Sequence, residues 1–127
     1  QKHTSHRTTR SSEKNIRLQN LYEQEIADVY LEFYNEWQSI IGHYFRNLDS
    51  IVRFIKEREN IDRQFYIRMV RAQLSSFELA LLFYNCLSSP GKGFKPLVEE
   101  FALLKTVEDI HLLDPSHRKF YKQAAFG

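Results

Sequence analysis

Apolar residues recur along the first half of the chain at a helical interval. Leu18, Tyr22, Ile26, Val29/Tyr30, Phe33, Trp37, Ile40/Ile41, Tyr44, Leu48, Ile51/Val52 and Ile55 form the series. Its mean step from Tyr22 to Ile55 is about 3.7 residues, the period of an α-helix. The pattern predicts one helix from 13 to about 57, or two that meet near Gly42, where glycine costs roughly 1 kcal/mol against alanine. The unbroken phase across Gly42 favours one. Residues 1–12 are polar and basic without periodicity and read as a flexible tail or linker, with Ser11 or Ser12 placed to cap the helix. Glu57-Arg58-Glu59-Asn60 is a polar break. Asn60 or Asp62 can then cap a second helix over about 62–88, amphipathic at first and apolar almost all round from Phe77 to Leu87, as a central buried helix is. Ser88–Gly93 is the clearest turn. Pro96 opens a shorter helix to about 104, and Asp114 caps a last one through Arg118–Tyr121. No segment reads as a strand. The expected fold is all-α: long antiparallel helices around a central buried helix, with shorter C-terminal helices, forming a single domain over 13–127.

Composition agrees and narrows the chemistry. The chain has 127 residues, 43% hydrophobic and 27% charged, which suits one compact domain and excludes a disordered segment. One cysteine, Cys86, allows no internal disulfide and no cysteine-built metal cage. The longest uninterrupted apolar run, Leu79–Tyr84, is six residues, against roughly 20 for a spanning helix. The formal net charge of +2 is unevenly spread. Residues 1–17 carry +4, residues 18–45 hold five acids (Glu23, Glu25, Asp28, Glu32, Glu36) and no Lys or Arg, and residues 46–71 return +3. Two readings follow: solvated faces with an acidic helix beside a basic one, or a basic segment 2–17 that meets an anionic membrane surface or nucleic acid. Nucleic acid has the weaker support, since no aromatic residue is interleaved in 1–17 for base stacking.

Few catalytic patterns survive inspection. No pair among the five histidines has the spacing of a zinc hydrolase, and Glu108–His111 is a lone Glu-x-x-His where a di-iron bundle needs two. His3 and His6 sit in the polar tail. Cys86 lies in the most apolar segment and reads as a structural thiol. No phosphate-cradling glycine loop is present. The Arg-x4-His pattern of helical HEPN nucleases is absent before His43, His111 and His117. No metal and no cofactor are expected. One polar constellation stands out: Arg71, Ser75, Glu78, Leu82 and Asn85 at steps of 4, 3, 4 and 3, sharing one face of the expected central helix. His43 and Arg46 on the first helix could supply partners. The group reads either as a register-fixing network or as a binding site for an anion or polar group.

Two segments carry a family resemblance. Gly42-His43-Tyr44-Phe45-Arg46-Asn47-Leu48, followed by Ile51-Val52-Arg53-Phe54-Ile55, resembles the first signature of phage abortive infection (AbiC-like) proteins. Arg71-Ala72-Gln73-Leu74-Ser75-Ser76-Phe77-Glu78-Leu79-Ala80-Leu81-Leu82-Phe83-Tyr84-Asn85 resembles the second. Phe94-Lys95-Pro96-Leu97 and Leu103-Leu104-Lys105 match its continuation, so the resemblance covers about residues 20–105. It implies bacterial antiphage defence, in which an infected cell stops growing or dies before phage matures. It also implies two transmembrane helices ahead of a cytoplasmic helical region. No such span is present here, and the chain starts without Met, which points to a fragment. Residues 2–17 are then a juxtamembrane segment at the inner face of the bacterial inner membrane. The resemblance assigns no catalytic residue, although His43, Arg46, Arg71, Gln73, Ser75, Ser76, Glu78 and Asn85 match its motif positions. The expected function is that of a sensor or effector acting by binding and self-association, with a protein partner or a homo-oligomer. The alternatives are a non-HEPN enzyme acting on RNA through Arg71, Glu78 and His43, and a generic helical adaptor.

Overall fold

The 3.7-residue period becomes a single helix, α1 (Lys2–Glu57), in the computed structural model, which describes the backbone of residues 2–127 and the side chains of residues 9–18 and 20–127. Gly42 does not interrupt it. Its missing side chain accommodates the Tyr34 hydroxyl, which would stand 2.6 Å from a Cβ there. Residues 9–12, expected in a flexible tail, continue α1, since neither Gly nor Pro interrupts them. His3, His6 and the other side chains of the basic leader up to residue 8 lie outside the described residues.

The expected helix over 62–88 is instead two. Asp62 caps α2 (Arg63–Gln73) by accepting the Phe65 N–H at 3.1 Å. Leu74 then turns extended, and α3 (Ser76–Asn85) starts afresh. Ser75 accepts the Glu78 N–H at 3.2 Å while the Glu78 carboxylate accepts the Ser75 N–H at 3.3 Å, a reciprocal capping box that satisfies two otherwise orphaned donors. Ser75→Ala removes half of that exchange. It should cost about 1 kcal/mol, read as a lower urea midpoint with an unchanged slope.

Both short helices run back along α1. Ile51 is level with Val70 and Tyr44 with Glu78 around one cavity, and Asn85 reaches Tyr30, so the packing is antiparallel. The buried side of α1 (Tyr30, Phe45, Leu48, Val52, Ile55) meets Ile67 of α2 and Leu79, Leu82 and Phe83 of α3. The basic α2 therefore lies beside the 51–58 stretch of α1, and the expected side-by-side pairing of the acidic and basic segments does not occur.

Past the turn, α4 (Lys95–Glu100) carries Pro96 in its first turn as expected but stops short of 104. Ala102 takes φ +50°, and the Leu103 N–H bonds back to the Val98 carbonyl at 3.1 Å, a Schellman-type stop. The expected last helix is a 3-10 segment, Pro115–Phe120, capped by Asp114 on the Ser116 N–H at 2.8 Å. Two further 3-10 segments, Asp109–His111 and Gln123–Phe126, complete the chain, and no strand occurs among the described residues. The last of them packs on α4, where the Leu104 N–H reaches the Ala125 carbonyl. Cys86 is fully buried, and burial pushes its thiol up to about 12, so it is no thiolate at neutral pH.

Candidate functional site

The break at Leu74–Ser75 dismantles the single polar face expected along 71–85. Ser75 and Glu78 are spent on the cap of α3. Across from them, the Tyr44 hydroxyl of α1 donates to the other Glu78 oxygen. That hydrogen bond, more than the cap, holds the Glu78 carboxyl below its ordinary range, while burial and the facing carboxylate push the Tyr44 phenol up. At neutral pH the pair is thus a charged acceptor and a neutral donor, and it clips α3 to α1. Gln73 lines the same shallow cavity of about 450 Å³, with Asn47 and Ile51.

The remaining expected members are elsewhere. Arg71 sits at the end of α2, its Nε buried with no hydrogen-bond partner. His43 pairs with Asn47 one turn on, at 3.3 Å. Arg46 is exposed and forms no ion pair among the described residues. Asn85 is 2% exposed and donates to the Tyr30 hydroxyl at 2.9 Å, while burial pushes that phenol up to about 12. Seven residues expected as one network therefore divide into a helix clip, a buried tie between α1 and α3, the half-buried Arg71, and the solvent-facing His43 and Arg46. The first two are structural in geometry.

A different feature was not visible in the sequence. Between the first half of α1 and the outer side of α3 runs an open groove of about 510 Å³, walled by Val29, Phe33, Phe77, Leu81 and Leu113. Its polar end is built from three rings. The Tyr84 hydroxyl accepts the Leu113 N–H at 2.8 Å and lies 2.8 Å from Nδ1 of His117. Nε2 of the same imidazole lies 3.0 Å from the Tyr22 hydroxyl, so the neutral ring donates to one of the two phenols and accepts from the other. The Tyr22 ring stands partly exposed at this end of a trough whose mainly apolar lining also includes Glu25 and His111. The arrangement suits the burial of an apolar segment with a polar group at that end. Tyr22 belongs to the periodic series of α1, but nothing local pairs it with residues 62 and 95 positions away.

His117 is 2% exposed, and burial lowers its pKa, with Lys119 adding to this and Asp114 opposing it. The unfolded imidazole takes up its proton near 6.5. The stabilisation from keeping it neutral is therefore fully present above that pH and is lost as pH falls towards the lower folded value. Thermal midpoints measured from pH 7.5 to 5 should decline, and His117→Gln should flatten that decline.

Among the described residues, no three His, Cys, Asp or Glu side chains converge as a metal would require, and no helix is long and apolar enough to cross a membrane. Fold and surface together define a small helical domain with an open apolar flank. Residues 36–110 match the family described as putative phage abortive infection protein, a span that holds the Tyr44–Glu78 clip, the Asn85 end of the tie to Tyr30 and the α3 wall of the groove. The chain belongs to this family. No curated protein and no solved structure matches it.

Proposed function

We propose that the chain is the cytoplasmic sensor or effector domain of a phage abortive infection protein, acting by binding and self-association. The observation that carries the reading is the continuous apolar surface of the groove and the adjoining side of α1. Val29, Trp37, Ile40 and Phe77 stand open to solvent there, large apolar side chains of the kind that mark an interaction surface where they cluster. Glu78 and Asn85 are tied up in the fold, which favours recognition over the RNA-cutting alternative. In the full-length protein the basic segment 2–17 sits against anionic headgroups at the inner face of the inner membrane, a placement supported by its charge.

The test is phage challenge of cells carrying the full-length gene with Phe77→Asp or Leu113→Asp. These side chains are 68% and 77% exposed, so folding should be retained. Plaque counts should rise to those of cells without the gene. Protection at the wild-type level by both stably folded variants would reject the binding reading.

A further inference from the structure

The two rims of the α1/α3 groove differ in charge. Around α1, at about 100° per residue, Tyr22, Phe33 and Ile26 stand about 20°, 40° and 60° to one side of Val29, and all four line the trough. Glu36, Glu25 and Glu32 stand about 20°, 40° and 60° to the other side, and all three are exposed. Spaced seven and then four residues apart, they form one row along the outer rim. None of the ion pairs among the described residues involves them, and residues 18–45 contain no Lys or Arg. The facing rim, with Phe77, Leu81 and Leu113, is apolar, and among the described residues neither Lys nor Arg lines the groove.

The lining sets the shape of an occupant and the carboxylates set its charge. From Tyr22 to Phe33 the trough follows α1 for about 17 Å, or roughly three helical turns. A helix laid in it can anchor apolar side chains at i, i+4 and i+7, the helix-in-groove mode of recognition. An extended segment would bring unpaired backbone groups into a trough without a strand edge to meet them, whereas a helix satisfies its own. One flank of such a helix runs along Glu25, Glu32 and Glu36, where Lys or Arg gains and Asp or Glu is repelled. The same row turns away anionic headgroups and nucleic-acid phosphates. A second copy of the chain answers it poorly. Its basic residues 1–17 include one large apolar side chain, Ile16, and beside the exposed Phe65 and Met69 of its α2 only Arg68 is exposed to face three carboxylates.

We propose that the α1/α3 groove receives an amphipathic helix with a basic flank, presented by a protein other than this chain. The proposal deepens the binding reading above and rests on it for its biological use, while the site has its own measurement. The probe is a synthetic helical peptide of about 18 residues, long enough to hold some helix in water. It carries Leu at i, i+4, i+7 and i+11 and Lys along one adjoining flank, and its twin carries Glu for every Lys. Fluorescence anisotropy should show the Lys peptide binding the full chain about 10-fold more tightly than the twin, a difference that added salt shrinks. Glu25→Lys, Glu32→Lys and Glu36→Lys together, at exposed positions, should invert the preference. Phe77→Ser, which removes an anchor wall without changing charge, should weaken the Lys peptide about 10-fold.

No saturable binding of the Lys peptide, equal binding of the twins, or a preference that survives the triple exchange would overturn the proposal. So would binding indifferent to Phe77→Ser, which would be charge attraction without the groove. Sedimentation equilibrium of the chain alone tests the other occupant. A species of twice the 15.2 kDa mass that Phe77→Ser dissociates would put a second copy in the groove and overturn the proposal as well. The plating test above stays separate from these readouts. Peptide binding as expected, with protection kept by Phe77→Asp, would leave the site standing and reject its use in defence. Lost protection without peptide binding would keep the binding reading and remove the basic helix from it.

Discussion

Phe83→Ala should destabilise the domain by about 3–5 kcal/mol, the range for truncating a buried aromatic residue. The ring is fully buried and bridges two parts of the chain distant in sequence. It lies 4.8 Å, centroid to centroid, from Tyr121, and the Tyr121 hydroxyl donates to the Phe83 carbonyl at 2.6 Å. Truncation removes the ring that seats Tyr121 and leaves a cavity where α3 meets the C-terminal 3-10 segments. Those segments have little helix of their own to hold them, so collapse around the cavity is limited. Against a total stability of about 5–15 kcal/mol, such a loss brings the variant close to half-unfolded at the lower bound. Differential scanning calorimetry should show a midpoint lower by about 10–20 °C. Phe83→Leu keeps most of the volume and should lose under half as much. A midpoint shift below about 3 °C for the alanine variant would mean that the C-terminal segments do not depend on this contact.

The residues that build α1 were legible because periodicity survives any tertiary context. A period of 3.7 over Tyr22–Ile55 leaves no other regular structure available, and the phase itself argued against a break at Gly42. The Asp62 and Asp114 caps were legible for a similar reason, since a short acceptor side chain before a helical run has one local use. The break before α3 is equally present in the residues, under a pattern with two meanings. Ser75-Ser76-Phe77-Glu78 ahead of an apolar run is a capping-box signature. Its three-residue step also fits one face of a continuing helix, and the 4, 3, 4, 3 spacing satisfies that second meaning as well. The two interpretations differ in the backbone of Leu74 and Ser75, whose ψ values of 117° and 165° belong to extended chain.

Coverage was not legible at all. Hydrophobic spacing marks which arc of a helix avoids water, but not whether a neighbour of the same chain covers it. Tyr30 and Phe33 obey the same period, yet one is buried and the other open. His117 carries even less signal. Its partners Tyr22 and Tyr84 lie 95 and 33 residues away, and only the folding of the C-terminal segments onto α3 brings them to one ring. The family relationship was readable from the two motifs, and the structure explains part of what those motifs specify: Tyr44, Ser75, Glu78 and Asn85 are the residues that fasten α3 to α1.

Gly91→Ala should cost about 3 kcal/mol, at the upper end for an added methyl group that meets packed atoms, while Gly93→Ala should be neutral within about 0.5 kcal/mol. The two glycines share one turn, Pro90-Gly91-Lys92-Gly93, and neither has a positive φ, so backbone freedom does not separate them. Their surroundings do. A Cβ at Gly93 meets nothing within 4 Å, whereas one at Gly91 would stand 2.6 Å from the carbonyl carbon of Asn85 and closer still to both of its oxygens. Neither oxygen yields cheaply. The backbone oxygen accepts the Ser88 hydroxyl at 2.6 Å and the Ser88 N–H at 3.1 Å. The side-chain amide cannot swing away without releasing the Tyr30 hydroxyl, and its site is buried. Forcing the turn outward would therefore loosen the tie that sets the height of α3 against α1, and with it the far wall of the groove. Chemical denaturation of both variants checks the contrast. Faster amide exchange near Tyr30 in Gly91→Ala, but not in Gly93→Ala, would place the damage at the tie itself. Equal stability of the two would mean that Asn85 is free to move, and that the close fit at Gly91 does not hold the helices in register.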